Sequence, residues 1–381
     1  MTLPPEIPIA APELGTEEEQ AVLQVLRSGR LAQGPVVESF ESSFAHYVGA
    51  PHAVALGNGT MALCATLRCL GIGTGDEVIT PAFSFVATAN AVLYCGATPI
   101  FADIDPQTYT LDPVSVEAVL TKRTRALLPV HLYGQPADMA PLRRIAQERR
   151  LLLIEDACQA HGATYGDTPV GMLGDAACFS FYPTKNMTAA EGGMVTTADA
   201  SLAQRLRQFR NQGQRSRYDY AGYGLNYRLS ELHAAIGVVQ LAKLPAATAA
   251  RQRTAASLNA ALADLQAAGV RLPATGAGRT HVFHQYTVAL PQRDAVAAAL
   301  TDARIGTGIY YPQPLHQIPF LRPPSGAPPV LPHAEAAAAS VLSLPVHPQV
   351  SAPQVRRIAD ALTSAVMHGS AERHPATVPK G

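Results

Sequence analysis

The sequence predicts an α/β fold, with a large, mostly parallel sheet wrapped by helices ahead of a smaller α+β unit. Its 381 residues, 48% of them hydrophobic, are enough to bury a sizeable core as one large domain and one smaller one. In the first two-thirds of the chain, short apolar runs alternate with segments of helical spacing, the pattern that builds parallel sheets. The texture then changes to an alanine-rich stretch followed by an alternating one. We therefore expect a large unit at 1–245, including an N-terminal helical segment, a small unit at 246–367 and a disordered polar tail at 368–381.

The elements follow in order. Thr16 and Glu19 form a capping-box pair before a helix lined by Val22, Leu23 and Leu26 and stopped at Gly29. Pro35 opens a second helix whose Val37, Phe40, Phe44 and Val48 share a stripe. His52 to Leu56 reads as a buried strand. Gly57-Asn58-Gly59-Thr60 then turns into a helix carrying Leu63, Leu67 and Leu70. Strands are expected at Glu77 to Thr80, Pro99 to Ala102, Ala126 to Leu132 and Leu151 to Ile154, each separated by a helical segment. After a helical run including Leu232 to Leu244, a second helix is expected from Ala246 to Ala268. A strand alternating through Val282, His284, Tyr286, Val288 and Leu290 follows, then a helix at Ala295 to Ala303. Eight prolines between Pro312 and Pro332 predict an extended loop that cannot join a ladder.

One constellation carries chemistry. Lys185 ends Ser180-Phe181-Tyr182-Pro183-Thr184-Lys185 among apolar residues and glycines, and Asp156 ends an apolar run. Pyridoxal 5'-phosphate (PLP) needs a lysine amine to form a Schiff base and a carboxylate to keep its pyridine nitrogen protonated. Lys185 and Asp156 can fill those roles, with desolvation favouring the neutral, nucleophilic amine. The glycine turn before Thr60 would cradle a phosphate at the positive end of a helix, and Ser180 could add a hydroxyl. Phe85 could stack on the ring, and Gln159, three residues after Asp156, could reach its phenolic oxygen.

Three motifs, in a match spanning nearly the whole chain, resemble the DegT/DnrJ/EryC1/StrS family of sugar aminotransferases. They are Glu155-Asp156-Ala157-Cys158-Gln159-Ala160-His161-Gly162, the Ser180 to Lys185 block with Glu191-Gly192-Gly193, and Gly224-Leu225-Asn226-Tyr227-Arg228-Leu229-Ser230-Glu231. The resemblance implies the fold-type I aminotransferase architecture and PLP, with Lys185 and Asp156 catalytic. It assigns Gly59, Thr60 and Ser180 to the phosphate, and Phe85 and Gln159 to the ring. Asn226 would reach the phosphate of a neighbouring subunit, which implies a homodimer. Tyr311 and His316 resemble positions near the sugar, and Arg228 is a candidate for the donor carboxylate or the sugar diphosphate. The expected reaction moves an amino group from L-glutamate to a nucleotide-diphosphate-linked keto-deoxysugar. The Val86-Ala87-Thr88-Ala89-Asn90 run leans toward C4 over C3. An inosose-type cyclitol ketone is the alternative acceptor; a sugar dehydratase, which Lys185 argues against, and a non-catalytic PLP-binding regulator are more remote. Ala190 departs from the glycine common in relatives before Glu-Gly-Gly, a methyl group expected to tighten the turn slightly.

Charge and cysteines bound the partners. With 29 basic and 29 acidic residues, no whole-chain electrostatic footprint for nucleic acid or an anionic membrane appears. Five cysteines without C-x-x-C spacing read as small buried hydrophobes in a reducing cytoplasm, with no metal site. No secretion signal is visible, and no apolar run is expected to be long enough to span a bilayer.

Overall fold

The computed structural model describes residues 5–322 and 327–371. The chain opens with α1 (Thr16–Ser28) and α2 (Pro35–Val48), then β1 (His52–Leu56), α3 (Gly59–Cys69), β2 (Glu77–Pro81), α4 (Val86–Tyr94) and β3 (Thr98–Ala102). Next come α5 (Pro113–Val119), β4 (Thr124–Leu127), α6 (Met139–Arg149) and β5 (Leu152–Asp156). A small hairpin of β6 (Thr164–Tyr165) and β7 (Thr168–Pro169) precedes β8 (Ala176–Ser180), β9 (Gly193–Thr197) and α7 (Ala200–Phe209). A second hairpin, β10 (Gln214–Ser216) and β11 (Asp219–Tyr220), leads into α8 (Glu231–Ala261). The remainder comprises β12 (Tyr286–Ala289), α9 (Arg293–Asp302), α10 (Pro332–Ser340), β13 (Val341–Leu344) and α11 (Ala352–Ala371).

The main sheet has the order β1-β9-β8-β5-β4-β2-β3. β8, β5, β4, β2 and β3 run parallel, and β9 is antiparallel to both its neighbours. β1 therefore points the same way as β8 and β5, and all three end at one edge, where ligands of parallel sheets bind. The expected α2 stripe is buried in full. Phe44 packs edge-on to Phe179 of β8 at a ring separation of 4.9 Å, part of the core on one sheet face. Leu63 and Leu67 of α3 pack with Leu206 of α7 on the other.

Several expectations need correction. Gly15, not Thr16, caps α1, and its amide donates to Glu18 rather than pairing with Glu19. The helix turns Glu18 and Val25 toward α8 and leaves Leu23 and Leu26 exposed, because Lys243 and Gln240 of α8 hold the Glu18 carboxylate. The strand expected through Leu132 stops at Leu127. Pro129 has no amide to donate, and Leu132–Gly134 forms a 3-10 turn. The two helices expected around residue 245 are one. α8 carries Pro245 inside it, so the expected 245/246 boundary falls within a helix. Joined in this way, the 31 residues are long and apolar enough by composition to cross a bilayer, contrary to expectation. Here, however, α8 packs against α1, α2 and α11.

The alternating strand also shrinks, to Tyr286–Ala289 paired with β13. Residues 282–285 are diverted: the Val282 amide donates to Gly134 O and the Gln285 amide to Tyr133 O. This draws the segment onto the large sheet's edge. The last part of α8 with α9 and α11 encloses a separate core around Tyr286, Leu258, Leu300 and Leu362. The proline-rich stretch contains two 3-10 turns, Leu315–Gln317 and Pro319–Leu321. Of the expected tail, residues 368–371 end α11, and 372–381 lie outside the described residues.

Candidate active site

At the shared edge, β1 runs through a tight turn into α3. Asn58 caps the helix, its Oδ1 accepting the Met61 amide at 2.8 Å. A Cβ on Gly59 would lie 2.8 Å from Ser180 Cβ and 3.1 Å from Cys158 Sγ, so only glycine lets the helix N-terminus sit against the end of β8. Gly59, Thr60 and Ser180, distant in sequence, thus line one wall of a cavity of about 570 Å³, a volume suited to a small-molecule ligand.

Asp156 lines the same cavity. Its Oδ2 accepts the Thr88 hydroxyl at 2.8 Å and its Oδ1 the Cys158 amide at 3.3 Å, so the carboxylate is buried but oriented. Neither Thr88 nor Cys158 was anticipated as an Asp156 partner; a hydroxyl one turn into the helix after Phe85 was the available signal. Gln159 turns to the same cavity. Its Oε1 accepts the Tyr133 amide at 2.9 Å, and its Nε2 donates to Tyr311 Oη at 3.1 Å. Phe85 stands at the mouth, its ring 5.8 Å from that of Tyr311.

Lys185 lines the same cavity and is half-buried. Burial pushes its amine below the ordinary lysine range, against the opposing influence of Cys158 and Asp156. Just beyond, Ala190 adopts φ 64°, a left-handed conformation that costs about 1–2 kcal/mol for a residue with a Cβ. The alanine where relatives commonly have glycine thus carries backbone strain.

The neighbouring acid has a different task. Glu155 is fully buried and accepts the amides of Gly171, Leu173 and Gly174 at 3.0, 2.7 and 2.9 Å. It also pairs with His131 Nε2 at 3.0 Å; His131 Nδ1 accepts the Ala137 amide, so the ring proton sits on Nε2.

Eight of the expected site residues, Gly59, Thr60, Phe85, Asp156, Gln159, Ser180, Lys185 and Tyr311, line this cavity, and three do not. His316 is buried elsewhere, 3.2 Å from Glu335 through its Nε2. Arg228 is exposed and donates to Asn211 Oδ1 at 2.6 Å, and Asn226 is exposed beside it on the same segment. An oriented carboxylate, a desolvated lysine and a helix N-terminus around one cavity fit PLP's ring nitrogen, aldehyde and phosphate. Among the described residues no cluster of metal-ligating side chains occurs, and all five cysteines are free.

Known proteins carry the same arrangement of chain. Residues 12–363 match the DegT/DnrJ/EryC1/StrS aminotransferase family. A dTDP-3-amino-3,4,6-trideoxy-alpha-D-glucose transaminase of Streptomyces venezuelae is 43% identical over 361 residues, 94% of each chain. A pleiotropic regulatory protein of Geobacillus stearothermophilus is 42% identical over 357 residues, 93% of this chain and 96% of that protein. The crystal structure of S. venezuelae DesV in complex with a ketimine intermediate superposes with a TM-score of 0.91 at 42% identity, covering 95% of this chain and 99% of that one.

Proposed function

The chain belongs to the DegT/DnrJ/EryC1/StrS aminotransferase family, and on that premise we propose that it moves an amino group from L-glutamate to the keto carbon of a nucleotide-diphosphate-linked deoxysugar. It is a PLP-dependent transaminase. The observation that carries the reading is Lys185, desolvated in the cavity that also holds the Thr88-anchored Asp156.

Bound PLP supplies the carbonyl that takes up the amino group and a ring that accepts electrons. Lys185 Nζ takes the proton from the donor's Cα in one half-reaction and serves the reverse transfer at the sugar carbon in the other. The overall exchange yields 2-oxoglutarate and an amino sugar. Asp156 holds a proton on the ring nitrogen, Gly59, Thr60 and Ser180 bind phosphate, and Phe85 and Gln159 orient the ring. For the ring carbon, the sugar in the name of the Streptomyces venezuelae transaminase carries its amino group at C3. That identity supports C3 over the C4 leaning of the Val86 to Asn90 run.

The cavity also argues for a second subunit. Among its described lining residues Lys185 is the one lysine or arginine, alongside the acids Asp156 and Glu191, too little positive charge for a sugar diphosphate. In a homodimer, Arg228 of the partner subunit would supply the missing charge, and Asn226 of the partner subunit would reach the cofactor phosphate. The segment before them carries the exposed Tyr218, Tyr220 and Tyr223, 71%, 57% and 69% exposed, a surface suited to such a contact. Nucleotide-linked substrates and free cysteines support a cytoplasmic location.

The test is the absorption spectrum of the PLP-loaded protein before and after L-glutamate, with Lys185→Ala alongside. The expected result is loss of the long-wavelength cofactor band in the wild type alone. The aminated protein is then offered dTDP-, UDP- and GDP-linked 3-keto and 4-keto sugars and an inosose. Return of the band with a 3-keto sugar supports the reading; return with the inosose alone supports the cyclitol alternative. A cofactor band that no amino donor alters would favour a regulatory role, as the name of one relative suggests.

A further inference from the structure

His284 lines the same cavity as Lys185, Asp156 and Gln159, on a segment that carries none of the residues assigned to PLP. It is 5% exposed. Its backbone is clamped from several sides. Arg251 Nη1 donates to Phe283 O at 3.2 Å and to His284 O at 3.5 Å, and Asn186 Nδ2 donates to Val282 O at 3.0 Å. Gly134 lies so close that a Cβ there would sit 2.7 Å from the His284 amide nitrogen. The imidazole is therefore delivered to the cavity from a fixed backbone.

Hydrogen-bond accounting assigns its proton. Nδ1 is buried with no partner. A buried lone pair without a partner is tolerated better than a buried N–H without one, so the neutral ring carries its proton on Nε2. Charge keeps the ring neutral. Burial first, then Lys185, Arg251, His161 and His281, all push its titration well below the ordinary histidine range. Asp156 and Glu191, the acids lining the cavity, do not reverse that direction. His161 and His281 are themselves pushed down to about 3 by burial and add no acid partner.

We propose that His284 is a specificity-determining residue that donates a hydrogen bond from Nε2 to an uncharged oxygen of the keto sugar beside the reacting carbon, acting as a fixed neutral donor rather than a proton carrier. This rests on the sugar aminotransferase reading above. A single uncharged N–H suits a hydroxyl or carbonyl oxygen; the two carboxylates of glutamate call for charged partners. His284 therefore serves the sugar half-reaction and is dispensable in the glutamate half-reaction.

The experiment follows the cofactor band of PLP-loaded wild type, His284→Phe and His284→Gln through each half-reaction separately, using L-glutamate and then the fastest acceptor of the keto-sugar panel, across pH 6 to 9. The expected result for His284→Phe is a sugar half-reaction slowed about tenfold, with glutamate turnover unchanged within about twofold. His284→Gln, whose amide nitrogen reaches the place of Nε2, restores most of the loss and keeps the wild-type pH profile. Equal loss of both half-reactions in both variants, Gln behaving as Phe, or an acid limb that shifts in His284→Gln would each overturn the inference while leaving the transaminase reading intact. A wild type that runs the glutamate step but aminates no sugar overturns the functional reading instead, and this inference with it.

Discussion

Thr88 and Asp156, 68 residues apart in sequence, meet in a 2.8 Å hydrogen bond in which Thr88 Oγ1 donates to Asp156 Oδ2. Because that hydroxyl's only proton goes to the carboxylate, the 3.0 Å contact between Ser84 Oγ and Thr88 Oγ1 has Ser84 as donor. A two-hydroxyl chain therefore runs from the start of the α4 segment to the acid expected to meet the cofactor ring. Thr88→Val keeps the shape and removes the bond, leaving Asp156 with the longer Cys158 amide contact. A hydrogen bond to a charged group contributes about 1.5–3 kcal/mol. The expected outcome is a glutamate half-reaction slowed roughly 10- to 100-fold with a melting temperature lowered by only a few degrees, read by stopped-flow absorbance and a melting curve.

The adjacent carboxylates Glu155 and Asp156 should separate cleanly. Glu155→Gln sets an amide nitrogen against the three loop amides and the His131 N–H that now face a carboxylate. It should cost about 3 kcal/mol, seen as a lower urea midpoint. Asp156→Asn should leave that midpoint nearly unchanged while abolishing measurable transamination.

Gly59→Ala tests the cradle. The added methyl would meet Ser180 Cβ at 2.8 Å, with little room to yield beside Cys158. The helix N-terminus must move away from Ser180, and PLP affinity should fall more than tenfold in a fluorescence titration while far-ultraviolet circular dichroism stays native.

An acid-pH effect should come from Glu18. Burial pushes its carboxyl up, but the bonds from Lys243 at 2.9 and 3.0 Å, Gln240 at 2.8 Å and the Gly15 amide at 2.9 Å outweigh it, so the net direction is down from 4.5. A carboxyl lowered in the fold stabilises it fully above the unfolded value, and that stability is lost as pH falls through the folded one. Glu18→Gln should therefore lose about 1 kcal/mol at pH 7. Its melting temperature should converge with the wild type's well below pH 4.5, as calorimetry across pH would show.

The sequence by itself determined the α/β class, the α2 stripe and the strand-to-helix turn at Gly59, and it singled out Lys185 and Asp156 as candidates. Each is a local matter of apolar spacing, glycine placement or a functional group at the end of an apolar run. Only the tertiary structure decided what those groups touch. Strand order brings the ends of β1, β8 and β5 to one edge, so Gly59, Ser180 and Asp156 converge across long gaps in sequence. Glu155 and Asp156 look alike in sequence, but alternation along β5 points one into the loop behind the sheet and the other into the cavity. The capping partner of α1 was likewise chosen by Lys243, a residue of α8 that no local pattern could bring into view. His316 and His284 exchanged places for the same reason. The Gly134 turn captures residues 282–285 and holds His284 in the cavity that Lys185 also lines, while Glu335 draws His316 away.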